Sequence, residues 1–379
     1  MAVDTCPKCG ALITPNLARC RQCKAYLHGT KLEGFIFESL LPKNLAGSPG
    51  TGIIFLIVVL YYLMMGLLAG PTSLIAMSGY SLDQFGNTSP AGIFLGEYWR
   101  FVTSMFGHHD LMHIAFNMYA LTIVGPLVEE AFDRKKMMVI YFIGGIASMI
   151  ISYIVHTEWM GGRGGGSMGA SGAVSALIGA TLFAAIRKGP EGRVVKAVMI
   201  RWTIYMAAFG LLVSGIDNAA HGGGFLTGAA LAYVMPLGGS KTVTAQKLMS
   251  VLMLGLVALT IGSTALMLDN LRGFPAALDK DGYGRRIFMF EVQDPYEWSY
   301  SDQVESYQRC VEGVRTGETG EKAIHACELA VRALPYAAGA PGAEAAWHFR
   351  LLSVLLAKDG QMDRARRMKY AALRLENRL

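Results

Sequence analysis

The sequence predicts an all-α polytopic membrane protein, with a small cysteine-bearing module before the membrane region and a helical domain after it. Three observations predict this. The chain is 53% hydrophobic and only 16% charged, too apolar for one ordinary soluble domain. Seven apolar stretches recur between residues 51 and 268, most of them close to the length of a bilayer-crossing helix. Beyond about residue 297, amphipathic helical periodicity returns. With 379 residues there is room for two or three domains. The net charge of +6 is unevenly spread, and no nucleic-acid partner is expected.

The first element is residues 1–30. Cys6-Pro-Lys-Cys9 and Cys20-Arg-Gln-Cys23 form two Cys-x2-Cys knuckles with ten residues between them. Four soft thiolates in that arrangement suit a tetrahedral structural zinc ion, and Gly10 fits a tight knuckle turn. So short a segment buries no useful core without the metal. A linker, 31–50, follows. No cleavable secretory signal opens the chain, so the N-terminal tail is expected in the cytosol, where structural disulfides are rare.

The apolar stretches lie at roughly 51–70, 111–128, 137–155, 168–186, 200–216, 219–238 and 248–268. Basic residues fix their expected direction. Arg187, Lys188, Arg193, Lys196 and Arg201 crowd one loop, Arg134, Lys135 and Lys136 another, and Lys241 and Lys247 a third. The opposite loops carry only Arg163 and Arg100. The N-terminus is therefore expected in the cytosol and the C-terminus outside. Spans two, four and six then all run inward, and His113, Ser171 and His221 each fall near the outer start of one of them.

Polar groups inside apolar spans are costly and usually functional. Ser171, in Gly-Ala-Ser-Gly (169–172), needs a base to take its proton, and His221 suits that role. Backbone N–H groups at Gly169 and Ser171, beside a helix start, can face a developing oxyanion. His113 and Asn117, four apart on one helical face, add side-chain donors. Ser171, Ser175 and Gly179 on span four, and Gly224 and Gly228 on span six, recur every fourth residue, which permits close helix contact in lipid. Asp217 lies four residues before His221 but near the loop. A Ser171–His221 dyad, with Asp217 structural or orienting, is therefore the expected machinery.

Five segments, in this order and spacing, resemble the rhomboid family of intramembrane serine proteases: EYWRFVTSMFGH (97–108), HIAFNM (113–118), GPLVEE (125–130), GASGAVSALIGA (169–180) and IDNAAHGGGFLTG (216–228). The resemblance implies a six-helix rhomboid core over 51–238, with one extra transmembrane helix at 239–268. It implies Ser171 as nucleophile, His221 as general base, and His113 and Asn117 in the oxyanion site. Trp99 and Arg100 match the family's Trp-Arg pair in the first outer loop. Glu129 matches the acid after span two, Gly172 flanks the nucleophile, and Gly224 and Gly228 match the close-packing glycines. Ser175 departs from the aromatic residue common in bacterial members. The resemblance also implies transmembrane protein substrates, cut in or near their membrane segment, no cofactor for catalysis, and a multi-pass location in a bacterial cytoplasmic membrane.

Residues 269–293 read as a linker and 294–379 as an outer helical domain. Its four amphipathic segments resemble tetratricopeptide-like hairpins or, equally, a generic bundle. Cys310 and Cys327 lie on consecutive helices in a compartment that can be oxidising, and a disulfide between them is expected. The zinc ribbon and this domain are candidate sites for protein partners. The alternative function is a catalytically silent rhomboid-like protein that binds membrane clients.

Overall fold

A computed structural model of the chain describes residues 4–6, 9–13, 20, 22–23, 45, 47–69, 71–77, 79–94, 96–159, 166–213, 215–239, 242–278, 286–287, 290–291, 300–316, 323–324, 327, 342–362, 364–366 and 368–369. Most of the 31–50 linker, Arg163 in its glycine run, and most of the second and fourth C-terminal helices expected from the sequence lie outside the described residues.

Every apolar stretch forms a helix: α1 (Pro49–Ala69), α2 (Leu111–Phe132), α3 (Arg134–Ile154), α4 (Ser171–Arg187), α5 (Arg193–Leu212), α6 (Asn218–Val234) and α7 (Val243–Leu278). Helices α1, α2, α3, α5 and α7 are long and apolar enough to cross a membrane. The other two, α4 and α6, have 17 residues each, shorter than full spans. Each starts at a local constraint. Gly169, at φ +149°, stands just before α4, and the Asp217 carboxylate caps α6 by accepting from Ala220 N–H at 2.8 Å. At its far end, α7 continues to Leu278, beyond the expected boundary at 268. The apolar run stops there, but Leu, Met, Asn and Arg in LMLDNLR still support helix, and the start of the 269–293 linker is helical.

The chain divides into two units. The first comprises Met1–Tyr62, Leu111–Ser152 and Gly169–Ile261. Within it α4 is the buried helix, with Ala173, Ala176, Leu177 and Ala180 fully enclosed. Small side chains allow that enclosure. A Cβ on Gly144 of α3 would meet Ala176 Cβ at 2.2 Å, so α3 lies nearly in contact with α4.

Charged side chains in this unit serve the helix ends. Glu129, near the end of α2, accepts from Gly50 N–H at 2.9 Å and from Thr51 N–H and Oγ at 3.0 Å each. A carboxylate thus caps the start of α1, where the first N–H groups lack helical acceptors. At the other polarity, Lys136 Nζ donates to the Pro236 and Gly238 carbonyls at 2.9 and 2.6 Å. Arg187 donates to those of Ala232 and Met235 at 2.7 Å each. Arg187 sits where the C-terminal end of α6 leaves carbonyls unpaired, and Lys136 holds the turn just past that end. Two of the basic residues that predicted orientation therefore also anchor the end of α6 and the turn after it.

The second unit comprises Leu63–Asp110, Tyr153–Met168 and Gly262–Leu379. Its segment 71–110 folds around Arg100, whose side chain is fully buried. The guanidinium donates to Glu97 Oε2 at 2.6 Å, to the Asp83 carbonyl at 2.6 Å and to the Asn87 carbonyl at 3.0 Å, and lies 4.9 Å from the Trp99 ring centroid. With the Asp83 carboxylate also 3.3 Å from the guanidinium, two carboxylates and two carbonyls hold the buried cation and with it the conformation of the loop. The Trp99–Arg100 pair is thus the organising centre of that loop.

In the same unit α8 (Tyr300–Thr316) and α9 (Gly342–Lys358) share a core of Cys310, Ile324, Cys327, Leu352, Leu355, Leu356 and Met368. A disulfide joins Cys310 to Cys327.

The Glu129 cap carries a prediction. Glu129→Ala removes three charge-assisted hydrogen bonds and leaves two N–H groups of α1 unsatisfied, at a cost of about 2–3 kcal/mol. A clear fall in the thermal midpoint of the detergent-solubilised protein, with Glu129→Gln intermediate, checks it.

Candidate active site and metal centre

Ser171 is the first residue of α4 and His221 the fourth of α6. The two helices run side by side and parallel, backbone against backbone. A Cβ on Gly224 would lie 2.0 Å from the Gly172 carbonyl oxygen, and one on Gly228 would lie 1.9 Å from that of Ala176. From the α4 side, a Cβ on Gly179 would lie 2.1 Å from the Phe225 carbonyl oxygen. No residue other than glycine fits at these three places without separating the helices. Gly172 follows Ser171, and Gly224 is one turn beyond His221. The hydroxyl and the imidazole therefore belong to the same end of one tightly joined pair.

Around Ser171 the backbone is shaped by glycine. The φ of +149° at Gly169 is one that L side chains rarely adopt. A Cβ there would meet the His113 ring at 2.6 Å, so the imidazole of α2 lies against the segment leading into α4. The N-cap Ala170 offers no side-chain acceptor, so the first N–H groups of α4 are available to an external anion. Asn117 donates Nδ2–H to the His113 carbonyl at 3.0 Å. One of its two N–H groups is thus committed to its own helix.

Around His221 the governing fact is one of solvation. Its Nδ1 is buried and has no hydrogen-bond partner. Asp217 does not bond to the ring: its carboxylate accepts from Ala220 N–H and from the Ser152 hydroxyl, and its carbonyl accepts from His221 N–H at 3.1 Å. The acid shapes the start of α6 rather than completing a triad. Among the described residues, no hydrogen bond joins the Ser171 hydroxyl to the His221 ring. Ser175 donates to the Ser171 carbonyl at 2.7 Å and toward Met206 Sδ of α5 at 3.3 Å. It turns onto its own helix, where a larger ring would have extended away.

Sequence reasoning overlooked α3. Its Gly144, Ser148 and Ser152, spaced four apart, face α4 and α6: a Cβ on Gly172 would meet the Ser148 hydroxyl at 2.0 Å. The signal was a third small-residue stripe, carrying none of the chemistry that drew attention to the other two.

The N-terminal sulfurs form a separate centre. All four cysteine Sγ atoms, of Cys6, Cys9, Cys20 and Cys23, lie within 4.8 Å of one another. Two of the separations are 3.6 Å (Cys6–Cys23) and 3.5 Å (Cys9–Cys20). Sulfurs 2.3 Å from a tetrahedral zinc stand about 3.8 Å apart, so the cluster has the right size. Strands β1 (Asp4–Thr5) and β2 (Leu12–Ile13) pair antiparallel to frame the first knuckle. Its turn is closed by Gly10 N–H to the Cys6 carbonyl and Cys6 N–H to the Ala11 carbonyl, both 2.8 Å, with Gly10 at φ +71°. The N–H of Cys23 and then that of Gln22 draw the Cys20 thiol down to about 6, toward the thiolate a metal binds. We expect about one zinc per purified chain by elemental analysis. Cys20→Ser should lose most of it and expose the segment to proteolysis.

Comparisons with known proteins converge on one family. Residues 95–237 match the family model of the rhomboid domain. The chain is 33% identical over 185 residues to the rhomboid protease GluP of Bacillus subtilis, covering 48% of this chain and 34% of that one. It is 29% identical over 189 residues to rhomboid-like protease 2 of Toxoplasma gondii, covering 48% and 64%. With the rhomboid protease GlpG of Klebsiella pneumoniae it shares 29% identity over 216 residues, covering 56% and 72%. The aligned part thus spans about a third of the Bacillus protein and under two thirds of the Toxoplasma one.

Proposed function

Residues 95–237 match the rhomboid domain, and on that premise we propose that the chain is an intramembrane serine endopeptidase of the rhomboid family acting on transmembrane proteins. The observation that carries this reading is the backbone contact between α4 and α6, which brings the ends bearing Ser171 and His221 together. In the proposed reaction His221 takes the Ser171 proton as the hydroxyl attacks the scissile carbonyl. The oxyanion is held by N–H groups at the start of α4 and by the ring of His113, with Asn117 supporting that turn of α2. His221 then protonates the leaving amine, and water hydrolyses the acyl-enzyme. The unpartnered Nδ1 of His221 fits a dyad. No cofactor enters this chemistry, and zinc in the N-terminal ribbon would be structural.

Cysteine chemistry supports the orientation read from loop charges. The Cys6–Cys23 cluster requires reduced thiols, whereas Cys310 and Cys327 are oxidised to a disulfide. Those two states belong to different compartments, and among the described residues the seven helices α1 to α7 lie between them. We therefore read the ribbon as cytosolic and the C-terminal helices as extracytoplasmic, each free to bind protein partners. The alternative, a silent client-binding protein, draws on the missing Ser171–His221 hydrogen bond in this state.

Activity separates the two. Purified protein should label with a fluorophosphonate and cleave a reporter transmembrane substrate. Ser171→Ala should reduce both by at least about 10³-fold, and His221→Ala nearly as far. Cleavage that survives Ser171→Ala excludes the assignment. For orientation, a membrane-impermeant maleimide on intact cells should label a cysteine introduced at Arg315, in a variant lacking other free cysteines, and leave one introduced at Lys188 unlabelled.

A further inference from the structure

The proposed reaction gives α3 no part, yet α3 touches both helices that carry it. Ser148 lies against Gly172, next to Ser171, and Ile151 lies 2.9 Å from where a Cβ on Gly223 would stand. One turn on, the Ser152 hydroxyl donates to Asp217 Oδ2. Ser152 is buried and Asp217 half-buried, so this is a charge-assisted bond partly shielded from water. Asp217 holds the next turn with its other oxygens: Oδ1 accepts from Ala220 N–H and the carbonyl from His221 N–H.

The imidazole itself is not held at Nδ1, which is buried without a partner. In a triad, an acid bonded to that nitrogen would aim the ring. Here the aim must come from where the backbone puts the Cβ of His221, and that depends on how α6 begins. We propose that Ser152 is a positioning residue for the proposed protease reaction: by fixing Asp217 to α3 it sets the entry of α6, and through it the place of the His221 ring relative to Ser171. This rests on the serine-protease reading. It assigns Asp217 a geometric rather than an electrostatic role. The third helix thereby replaces the missing third catalytic group, acting on the main chain instead of the ring.

The test compares wild type, Ser152→Ala, Asp217→Ala and Asp217→Asn in the full-length protein. It measures fluorophosphonate labelling rate, kcat and KM on a reporter transmembrane substrate, and thermal midpoint. Ser152→Ala should lower kcat and labelling roughly tenfold, with KM within about twofold, as expected for lost alignment rather than lost binding. Asp217→Ala, which also removes the cap, should fall roughly 100-fold. Asparagine still caps a helix through its side-chain oxygen, so Asp217→Asn should lose about tenfold less than Asp217→Ala. The positioning role is overturned by wild-type kcat in Ser152→Ala, by parallel loss of kcat, KM and thermal midpoint, or by Asp217→Asn falling as far as Asp217→Ala. If wild type itself shows no Ser171-dependent labelling or cleavage, the protease reading fails and this proposal falls with it.

Discussion

The arrangement of the membrane core depends on one contact, the near-touching backbones of α4 and α6. Lipid tails give apolar helices no reason to leave them for each other, so association relies on close packing and on hydrogen bonds. Gly179, Gly224 and Gly228 remove the side chains that would hold the two helices apart. Because the contact is parallel and in register, the chemistry at the start of one helix is matched to the chemistry at the start of the other. A single methyl group at Gly224 or Gly228 would press on a carbonyl oxygen, which cannot rotate away.

Around that pair, charge is spent on helix ends. Glu129 and Asp217 sit at helix starts, Lys136 and Arg187 at the end of α6. Each places its sign where the helix dipole favours it; Glu129, Asp217 and Arg187 satisfy groups that a helix leaves unpaired, and Lys136 binds two carbonyls just past α6. Away from water such groups have few other partners, so each cap also selects a geometry. The same logic governs Arg100 in the other unit, where one buried guanidinium gathers Asp83, Asn87 and Glu97 into a single loop conformation.

Much of this was legible before any coordinates. The seven helices follow from hydropathy, and the α4–α6 contact follows from small residues at a spacing of four. The cysteine knuckles announce themselves by spacing alone. The destinations of polar side chains were not legible. Asn117 has the composition of an oxyanion donor, yet one N–H turns back to the His113 carbonyl. Asp217 was expected to be structural or orienting, but the N–H it caps and the hydroxyl that holds it were not readable. Ser148 and Ser152 read as filler, because serine in a small-residue stripe carries no sign of which helix will face it. Lengths also misled: apolar composition marks where lipid would end, whereas helix ends follow caps and turns, so α7 overran its expected boundary and α4 and α6 fell short of theirs.

That shortfall has a consequence for the surrounding bilayer. A helix of 17 residues is about 26 Å long, against roughly 30 Å of hydrocarbon. Of the two, α4 is enclosed while α6 leaves Leu226, Tyr233 and Val234 exposed, so lipids beside α6 must compress to meet it, or headgroups and solvent must dip inward at one mouth. Hydrophobic mismatch of this kind costs fractions of a kcal/mol per ångström. It would draw toward the protein any neighbouring helix whose own apolar length is short or easily unwound. Membrane thickness itself would then help to select what this protein meets.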